Sequence, residues 1–237
     1  MQKLTIVMAY YNNGDMLDAH ISEWDKYPAV VKGNVRAVIV DDASPEKPAI
    51  ERVRNIGMNI EVFRIAKDIP WHQDAARNLG MMRPKGWTLL SDMDRVLPAD
   101  CVESLLTIPL EKGTVYLPAQ YRLDGTMPKS KTGRHPNIYI VHRDDFWKTG
   151  GYDERLCGYY GTDSSFRRRL ARHVDFKPID NVWLKYFRKF DLNDAGTRGE
   201  YRKDQYLMKN APAEIKAIAN RAERPGKPCQ FEWKRIK

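Results

Sequence analysis

The sequence predicts an α/β protein in which a mostly parallel sheet is flanked by helices. Short apolar runs rich in β-branched residues alternate with longer amphipathic stretches along the first half of the chain. Strand–helix–strand alternation at this spacing is typical of a parallel sheet joined by right-handed crossovers. The 237 residues, of which 42% are hydrophobic and 30% charged, suit one large domain with an appendage.

Five strands and four helices are predicted before Pro118. The strands are expected at residues 4–9, 35–40, 60–65, 88–90 and 114–117. The helices are expected at residues 15–27, 46–56, 72–82 and 99–107. Helix-start signals support several of these, such as Asp15 directly after Gly14.

The pattern changes after Pro118. Later elements are expected as a strand at 137–142, a helix at 161–173, short strands at 175–179 and 182–187, and helical segments at 200–209 and 213–222. Segment 124–136 is expected to be a mobile loop, and the chain from Arg224 a turn or tail. We therefore expect one domain at 1–190, with halves at about 1–118 and 119–190, and a basic C-terminal extension at 191–237.

Composition excludes several classes of protein. No apolar run approaches the roughly 20 residues that span a bilayer. The first residues also lack the pattern of a secretory signal. The cysteines, Cys101, Cys157 and Cys229, are odd in number and widely spaced, so they form neither a disulfide framework nor a zinc cluster. We expect a reduced, cytoplasmic protein without a transmembrane segment.

The positive charge is concentrated in the last third of the chain. Residues 1–166 carry 21 Lys and Arg against 22 Asp and Glu, whereas residues 167–237 carry 19 against 9. One interpretation is a C-terminal surface that meets an anionic partner, such as nucleic acid, a phosphorylated substrate or the acidic lipid of a membrane contacted peripherally. The other is a solvated basic face that keeps the protein soluble.

Polar and aromatic residues follow three of the predicted strands. Residues 10–13, Tyr-Tyr-Asn-Asn, follow the first strand, Asp41 and Asp42 the second, and residues 91–94 the fourth. In an open α/β sheet, ligands bind beyond the carboxyl ends of the strands. No GxGxxG or P-loop motif follows any of these strands, so a nucleotide bound here is held by carboxylates and a metal and not by a glycine cradle.

Asp92, Met93 and Asp94 form the sharpest local motif. Alternate residues of an extended segment point the same way, so both carboxylates can face one ion. Hard oxygen ligands of this kind suit Mg²⁺ or Mn²⁺ that also binds a diphosphate. The alternative is a solvated turn or helix cap. The position directly after a buried strand favours the ion site.

Other residues near the strand ends also have two interpretations. Asp41 and Asp42 either cap the next helix or accept hydrogen bonds from a nucleoside. Arg77 and Asn78 form either an exposed helical pair or a site where the planar guanidinium reaches phosphate or the carboxylates. His72 either touches phosphate or simply starts its helix.

Glycine-rich turns bracket a further acid, Asp163, which begins an amphipathic helix. This residue is either an acid favoured by the helix dipole or a general base that takes a proton from an attacking hydroxyl. His142, at the end of a predicted strand, is a candidate for the acceptor side. Trp71 is expected in the core, with stacking on a sugar as the alternative.

Five segments in order resemble family 2 glycosyltransferases of the GT-A fold, and are similar to the galactosyltransferase and chondroitin-synthase-like members. They are TIVMAYYN at 5–12, VIVDDAS at 38–44, AARNLG at 75–80, SDMD at 91–94, and GGYDE at 150–154 with GTD at 161–163. The resemblance covers about residues 3–190 and implies a nucleotide-sugar half followed by an acceptor half. The implied donor-binding residues are Ala9, Tyr10, Tyr11, Asn12, Asp41, Asp42, His72, Arg77, Asn78, Ser91, Asp92, Met93 and Asp94.

The resemblance also implies the catalytic and metal-binding residues. Asp163 matches the catalytic base of an inverting transfer, with Gly161 and Thr162 on the acceptor side. Thr162 departs from the family motif, which has a glutamate there. A Mn²⁺ or Mg²⁺ ion is implied at Asp94 and Asp92. Residues 182–191 lack the histidine that similar galactosyltransferases supply to the metal, so Asp191 is the candidate third ligand.

The expected activity is transfer of a sugar from a nucleotide-diphosphate sugar, by default a UDP-sugar, to a hydroxyl of a glycan or lipid-linked glycan. One alternative is transfer to nucleic acid, such as a modified DNA base, through the basic C-terminal face. Another is a non-catalytic nucleotide-binding module. A nucleotidyltransferase is disfavoured because residues 10–14 contain no Lys or Arg.

Overall fold

The structure is a computed structural model that describes residues 2–128, 134–188, 191–192, 204–221 and 225–237. The strands are β1 Leu4–Tyr10, β2 Val35–Asp41, β3 Asn59–Ile65, β4 Trp87–Ser91, β5 Arg95–Val96, β6 Thr114–Arg122, β7 Tyr139–His142, β8 Asp175–Tyr186 and β9 Trp233–Arg235. The helices are α1 Gly14–Asp25, α2 Ala29–Lys32, α3 Gln73–Met81, α4 Ala99–Thr107, α5 Arg143–Lys148, α6 Asp163–Leu170 and α7 Ala213–Asn220.

The described strands form one mixed sheet in the order β5-β8-β6-β7-β4-β1-β2-β3-β9. Strands β4, β1, β2 and β3 run parallel at its centre, and β6 pairs in parallel with β8. The remaining pairs are antiparallel. The predicted α/β class with a mainly parallel sheet and flanking helices is therefore confirmed.

Helices cover both faces of the sheet, which explains why its central strands are apolar throughout. Ile6 and Met8 of β1 belong to one buried cluster and Val7, between them, to the other. Side chains of a strand alternate between faces, so both faces of β1 are buried. Helix α3 lies close to the sheet because Gly80 has no side chain; a Cβ there would be 2.5 Å from Val7 Cγ1.

The predicted helix at 46–56 is wrong, because the structure has only a short 3₁₀ turn at Ala49–Glu51. Pro48 lacks an N–H and restricts the residue before it, so an α-helix cannot run through this position. Asp41 instead accepts a hydrogen bond from the Ala49 N–H at 2.9 Å. The Asp41 carboxylate, at the end of β2, thus binds a backbone amide of the segment in which the helix was predicted.

The two short strands expected at 175–179 and 182–187 are one strand, β8. Its residues 175–179 and 183–186 pair with β6, and residues 180–182 form a bulge opposite the step from Pro118 to Ala119. Strand β6 accordingly extends to Arg122, beyond the predicted end at residue 117. A β-bulge adds a residue to one strand without ending the pairing, which a local pattern reads as a break.

The C-terminal region packs on the domain through its described parts. Residues 204–210 form 3₁₀ turns in place of the end of the helix predicted at 200–209, whose first residues lie outside the described part of the chain. The tail adds β9 to the sheet, antiparallel to β3. Residues 129–133 of the predicted loop at 124–136 also lie outside the described residues. In the described ranges, the helices are too short or too polar to cross a membrane.

Candidate active site

A cleft of about 420 Å³ opens at the carboxyl ends of the parallel strands. The segments that follow β1, β2, β3 and β4 form one side, and residues from the second half of the chain form the other. Its lining residues are Ala9, Tyr10, Tyr11, Asn13, Asp42, Ile69, Pro70, Trp71, His72, Gln73, Arg77, Asp92, Met93, Asp94, Arg95, His135, Asn137, Tyr160, Asp163 and Tyr186.

Asp42 and His72 meet at one end of the cleft. His72 Nδ1 lies 3.0 Å from Asp42 Oδ1, and both side chains are buried. Burial raises the pKa of Asp42, and the hydrogen bond with His72 opposes that shift. The edge of the Phe231 ring, from the C-terminal tail, packs against the imidazole with 5.2 Å between ring centroids. The tail therefore helps to hold His72 in position.

A buried histidine contacts the backbone of the Asp92–Asp94 turn. His20 Nε2 lies 2.9 Å from the Met93 carbonyl oxygen. Burial lowers the pKa of His20 to about 4, so the ring is neutral at neutral pH. Asp92, Met93 and Asp94 all line the cleft. This arrangement presents the two carboxylates on the cleft side of a fixed turn.

Arg77 connects the two halves of the cleft. Its guanidinium donates from Nη1 to Asp163 Oδ1 at 2.8 Å and from Nη2 to Asp92 Oδ1. The Arg77 side chain is almost completely buried. Burial would raise the pKa of Asp92, but Arg77 above all, with His135 and Arg95, brings it below its usual value. Arg77 therefore balances one carboxylate from each half.

A second arginine stands beside the other carboxylate of the turn. Arg95 pairs with Asp94 Oδ2 and donates to Gln120 Oε1 at 2.7 Å. The Arg95 guanidinium also lies 3.6 Å from the centroid of the Tyr186 ring. The hydrogen bond and the stacked ring hold the Arg95 guanidinium in place in the lining of the cleft.

An aromatic pair lies at the mouth of the cleft. The rings of Trp71 and Tyr160 are 4.6 Å apart at their centroids. Trp71 has φ 53°, an uncommon backbone conformation for so large a residue. Tyr160 is 37% exposed, and its backbone exchanges hydrogen bonds with Tyr206 and Met208 of the C-terminal region. Trp71, expected in the core, thus contributes to the cleft surface.

Four residues predicted to bind the donor make hydrogen bonds to nearby backbone groups. Asp41 is fully buried and accepts from the Ser44 and Ala49 amides and from Arg64. Asn12 accepts from the Glu46 and Lys47 amides, and the Ser91 hydroxyl lies 3.3 Å from the Arg95 carbonyl oxygen. Asn78 donates to the Tyr152 carbonyl and accepts from the Tyr152 amide. These four residues are not among the described residues that line the cleft, and their contact with a donor stays a prediction.

The candidate acceptor-side residues also differ from expectation. Thr162 is buried and donates its hydroxyl to Asp74 Oδ2 at 2.8 Å. Gly161, with φ 91°, turns the chain behind Tyr160. His142 pairs with Trp87, the first residue of β4, so it lies at the edge of the sheet opposite the cleft, where it caps α5. The structure therefore places His142 away from the described residues that line the cleft, and its acceptor-side role stays a prediction.

Asp191, the candidate third metal ligand, is engaged by its neighbour. Its carboxylate accepts from the Arg188 amide at 2.8 Å and from the Arg188 guanidinium at 3.2 Å. It lies outside the set of described residues that line the cleft. Its role as a third metal ligand stays a prediction that this placement does not support.

Sequence reasoning missed several cleft residues. His135 Nδ1 lies 3.6 Å from Asp92 Oδ2, although residue 135 falls in the segment predicted to be a loop. Arg95 and Tyr186 also line the cleft. The rule that ligands bind beyond strand ends points to Tyr186, which ends β8. No local signal marks His135, because its partner is 43 residues away in the chain.

The two carboxylates of the turn fit a divalent ion that arrives with a diphosphate. Among the described residues, no group of three or more His, Cys, Asp or Glu side chains is arranged to hold a metal. Asp92 and Asp94 line the cleft, and each also pairs with an arginine. Mg²⁺ commonly binds through one or two carboxylates, substrate phosphates and water, so this donor set is sufficient once phosphate oxygens join it.

Comparison with known proteins gives similarity of fold only. No protein-family model matches the sequence, and none of the curated proteins matches it. A structure of TarS residues 1–349 from S. aureus in complex with UDP-GlcNAc is similar at 12% identity, with a TM-score of 0.59 over 92% of this chain and 65% of that chain.

Two further solved structures are similar. The mannosyltransferase PcManGT from Pyrobaculum calidifontis, in complex with GDP-Man and Mn²⁺, has 13% identity and a TM-score of 0.56, over 77% of this chain and 56% of that one. GalNAc-T7 with UDP, GalNAc and Mn²⁺ has 15% identity and a TM-score of 0.60, over 89% and 45%. This chain spans less than two thirds of each of these proteins. The sheet order, the cleft at its carboxyl edge and these similarities show that the chain has the GT-A fold of glycosyltransferases.

Proposed function

We propose that this protein is a glycosyltransferase that moves a sugar from a UDP-sugar to an acceptor hydroxyl with inversion. The observation that carries the proposal is the joining of Asp92 and Asp163 by Arg77 across one cleft. A pair of carboxylates for a metal-bound diphosphate and a separate carboxylate for the acceptor are the groups that such a transfer needs. The similar structures of TarS with UDP and UDP-GlcNAc support the choice of UDP.

The donor is placed with its nucleoside near Asp42 and His72 and its diphosphate near the Asp92–Asp94 turn. Asp42 and His72 offer a buried acceptor and a ring nitrogen at one end of the cleft. Asp94 and Asp92 would hold the divalent ion together with the phosphates, and Mn²⁺ in similar structures supports this assignment. When bound, the ion stabilises the negative charge that develops on the departing nucleoside diphosphate.

Asp163 is the proposed base. Its carboxylate lines the cleft and is held at 2.8 Å by Arg77. In the reaction, Asp163 takes the proton of the acceptor hydroxyl while that oxygen bonds to the anomeric carbon. The bond from the anomeric carbon to the diphosphate oxygen breaks, and the electron pair leaves with the nucleoside diphosphate. Attack from the face opposite the leaving group inverts the anomeric configuration.

A glycan or lipid-linked glycan is the acceptor that the surface favours over nucleic acid. Trp71 and Tyr160 present aromatic surface at the mouth of the cleft, as ligand sites commonly do. Among the described basic residues of the C-terminal part, Lys185 on β8 and Lys234 on β9 lie near opposite ends of the sheet. A phosphate backbone requires clustered cations, and these two lie apart.

Calorimetric titration with UDP, GDP, CDP and dTDP, each with and without Mn²⁺, tests the proposal. We expect UDP to bind in a Mn²⁺-dependent manner, and the Asp94→Asn variant to lose that dependence, since a neutral amide is a poorer ligand for a hard cation. Asp191→Asn is the matched control, because Asp191 pairs with Arg188 outside the cleft. Failure of all four nucleotides to bind, with or without Mn²⁺, would contradict the proposed donor site.

A further inference from the structure

A buried carboxyl group, Asp74, lies behind the proposed base without lining the cleft. It is on α3, one turn before Arg77, so the two side chains share a face of the helix. Asp74 is 2% exposed. Its Oδ2 accepts from the Thr162 hydroxyl at 2.8 Å, and Thr162 directly precedes Asp163. The contact therefore joins α3 to the first residues of α6.

The surroundings of Asp74 disfavour its charge. Its other oxygen, Oδ1, has no hydrogen-bond partner among the described residues. Burying an ionised carboxylate with an unpartnered oxygen is costly, whereas the neutral acid loses much less on leaving water. Burial first, and then the nearby charge of Asp163, raise the pKa of Asp74 from its ordinary value of 3.8 to about 7.

The charged and titratable groups around Asp74 come from three elements. They are Arg77 on α3, Asp163 and Arg169 on α6, and Tyr152 and Cys157 in the segment between α5 and α6. Arg77 and Arg169 favour the ionised form of Asp74, and Asp163 opposes it. Arg169 is occupied by Ser165 and the Gly151 carbonyl. The protonation of Asp74 consequently depends on whether Arg77 interacts with Asp74 or with the other carboxylates near it.

We propose that Asp74 is a positioning residue for Asp163. Its carboxyl group binds Thr162, and because that group is protonated and uncharged, the Arg77 cation pairs only with Asp92 and Asp163. When Asp74 loses that proton, a third carboxylate competes for Arg77 and repels Asp163. The carboxyl group next to the proposed base is thus Asp74 on α3, and Thr162 contributes the hydroxyl that binds it. This inference rests on the proposed role of Asp163, but its test requires neither donor nor acceptor.

Urea unfolding of the whole chain between pH 4 and pH 8.5 tests the proton on Asp74. A group that keeps its proton in the folded state and loses it in the unfolded state makes the protein less stable as pH rises. Relative to Asp74→Asn, whose amide stays neutral, the wild-type unfolding constant should rise by up to about tenfold per pH unit from pH 4 to pH 7 and then level off. Parallel curves for the two proteins would overturn the inference.

Two further variants test the hydrogen bond with Thr162. Thr162→Val removes the donor that favours the ionised form of Asp74. In this background, the difference in stability between the proteins with and without Asp74→Asn should level off at a higher pH than it does for wild type. Thr162→Ser retains a hydroxyl and should behave as wild type. An unchanged levelling pH in Thr162→Val would show that the hydroxyl does not act on Asp74.

The coupling to Asp163 is tested by repeating the comparison in an Asp163→Asn background. Removing the neighbouring negative charge lowers the pKa of Asp74, so the difference between the proteins with and without the Asp74→Asn substitution should level off at a lower pH. A carboxyl group with a merely local structural role would show the same pH dependence in both backgrounds, which would overturn the positioning role. Loss of nucleotide binding in the titrations above would reject the proposed function and leave this result intact.

Discussion

The proposed donor side and the proposed acceptor side of the cleft hold their carboxylates by different means. Asp42 and Asp92 directly follow β2 and β4, whose pairing with β1 sets their separation. Asp163 begins α6, outside the parallel strands, and reaches the donor side through Arg77. The donor side is therefore positioned by sheet geometry, whereas the acceptor side depends on a few side chains from distant parts of the chain.

Contacts to α3 replace the sheet on the acceptor side. Asn78 binds the backbone of Tyr152 on both its donor and acceptor atoms. Gly151, with φ +81°, allows this approach, because a Cβ there would lie 2.6 Å from Asn78 Oδ1. The turn after α5 is thus attached to the same helix that carries Arg77. A substitution on α3 should affect both sides of the cleft, whereas one on α6 should affect only the acceptor side.

Asp163→Asn separates the two sides most strongly. We expect the rate of sugar transfer to fall by about 10²–10⁴-fold, the loss typical of removing a general base. UDP affinity should stay within about threefold of wild type, because Asp163 lies on the proposed acceptor side of the cleft. A threefold change corresponds to about half of the 1.4 kcal/mol of a tenfold change. Steady-state transfer assays and calorimetry measure the two effects. Turnover close to that of wild type would show that another group takes the proton.

Arg77→Met removes the connection between the two sides. Breaking a buried ion pair by deleting one partner leaves uncompensated carboxylates, so the free energy of unfolding should fall by about 3–5 kcal/mol. Arg52→Met is the matched control, because the Arg52–Asp18 pair is much more exposed than the Arg77 pairs, and surface pairs contribute about 0–1 kcal/mol. Urea unfolding measures both. Equal losses in the two variants would mean that Arg77 does not bridge the carboxylates in solution.

Phe231→Ala tests the smallest of these contributions, that of the tail to the donor side. The Phe231 ring packs against His72, and such aromatic pairs contribute about 0.5–1.5 kcal/mol. We therefore expect UDP binding to weaken by about 2–10-fold while kcat changes little. Trp233→Ala removes a ring of the same tail that packs against Phe63, so its UDP affinity should match wild type. A larger loss of affinity in Trp233→Ala than in Phe231→Ala would contradict the role of Phe231.

The central strands and the cleft edge were predictable because their signals are local. A run such as residues 35–40 is apolar at nearly every position, which is typical of a strand buried on both faces. The position of Asp92 directly after such a strand then places it at the ligand-binding edge. The same rule does not separate Asp41 from Asp42. Alternate side chains point to opposite faces, and only the partners on each face show that Asp41 holds a turn and Asp42 lines the cleft.

By itself, the amino-acid sequence determined the α/β class, the positions of the main strands along the chain and the edge at which polar groups collect, because burial and alternation act over a few neighbouring residues. The tertiary structure alone decided which of those groups meet. Arg77 and Asp163 are 86 residues apart and Thr162 and Asp74 are 88 apart, and the tail reaches His72 only because β9 pairs with β3. Such contacts depend on how helices and edges pack, and no local pattern of residues encodes that packing.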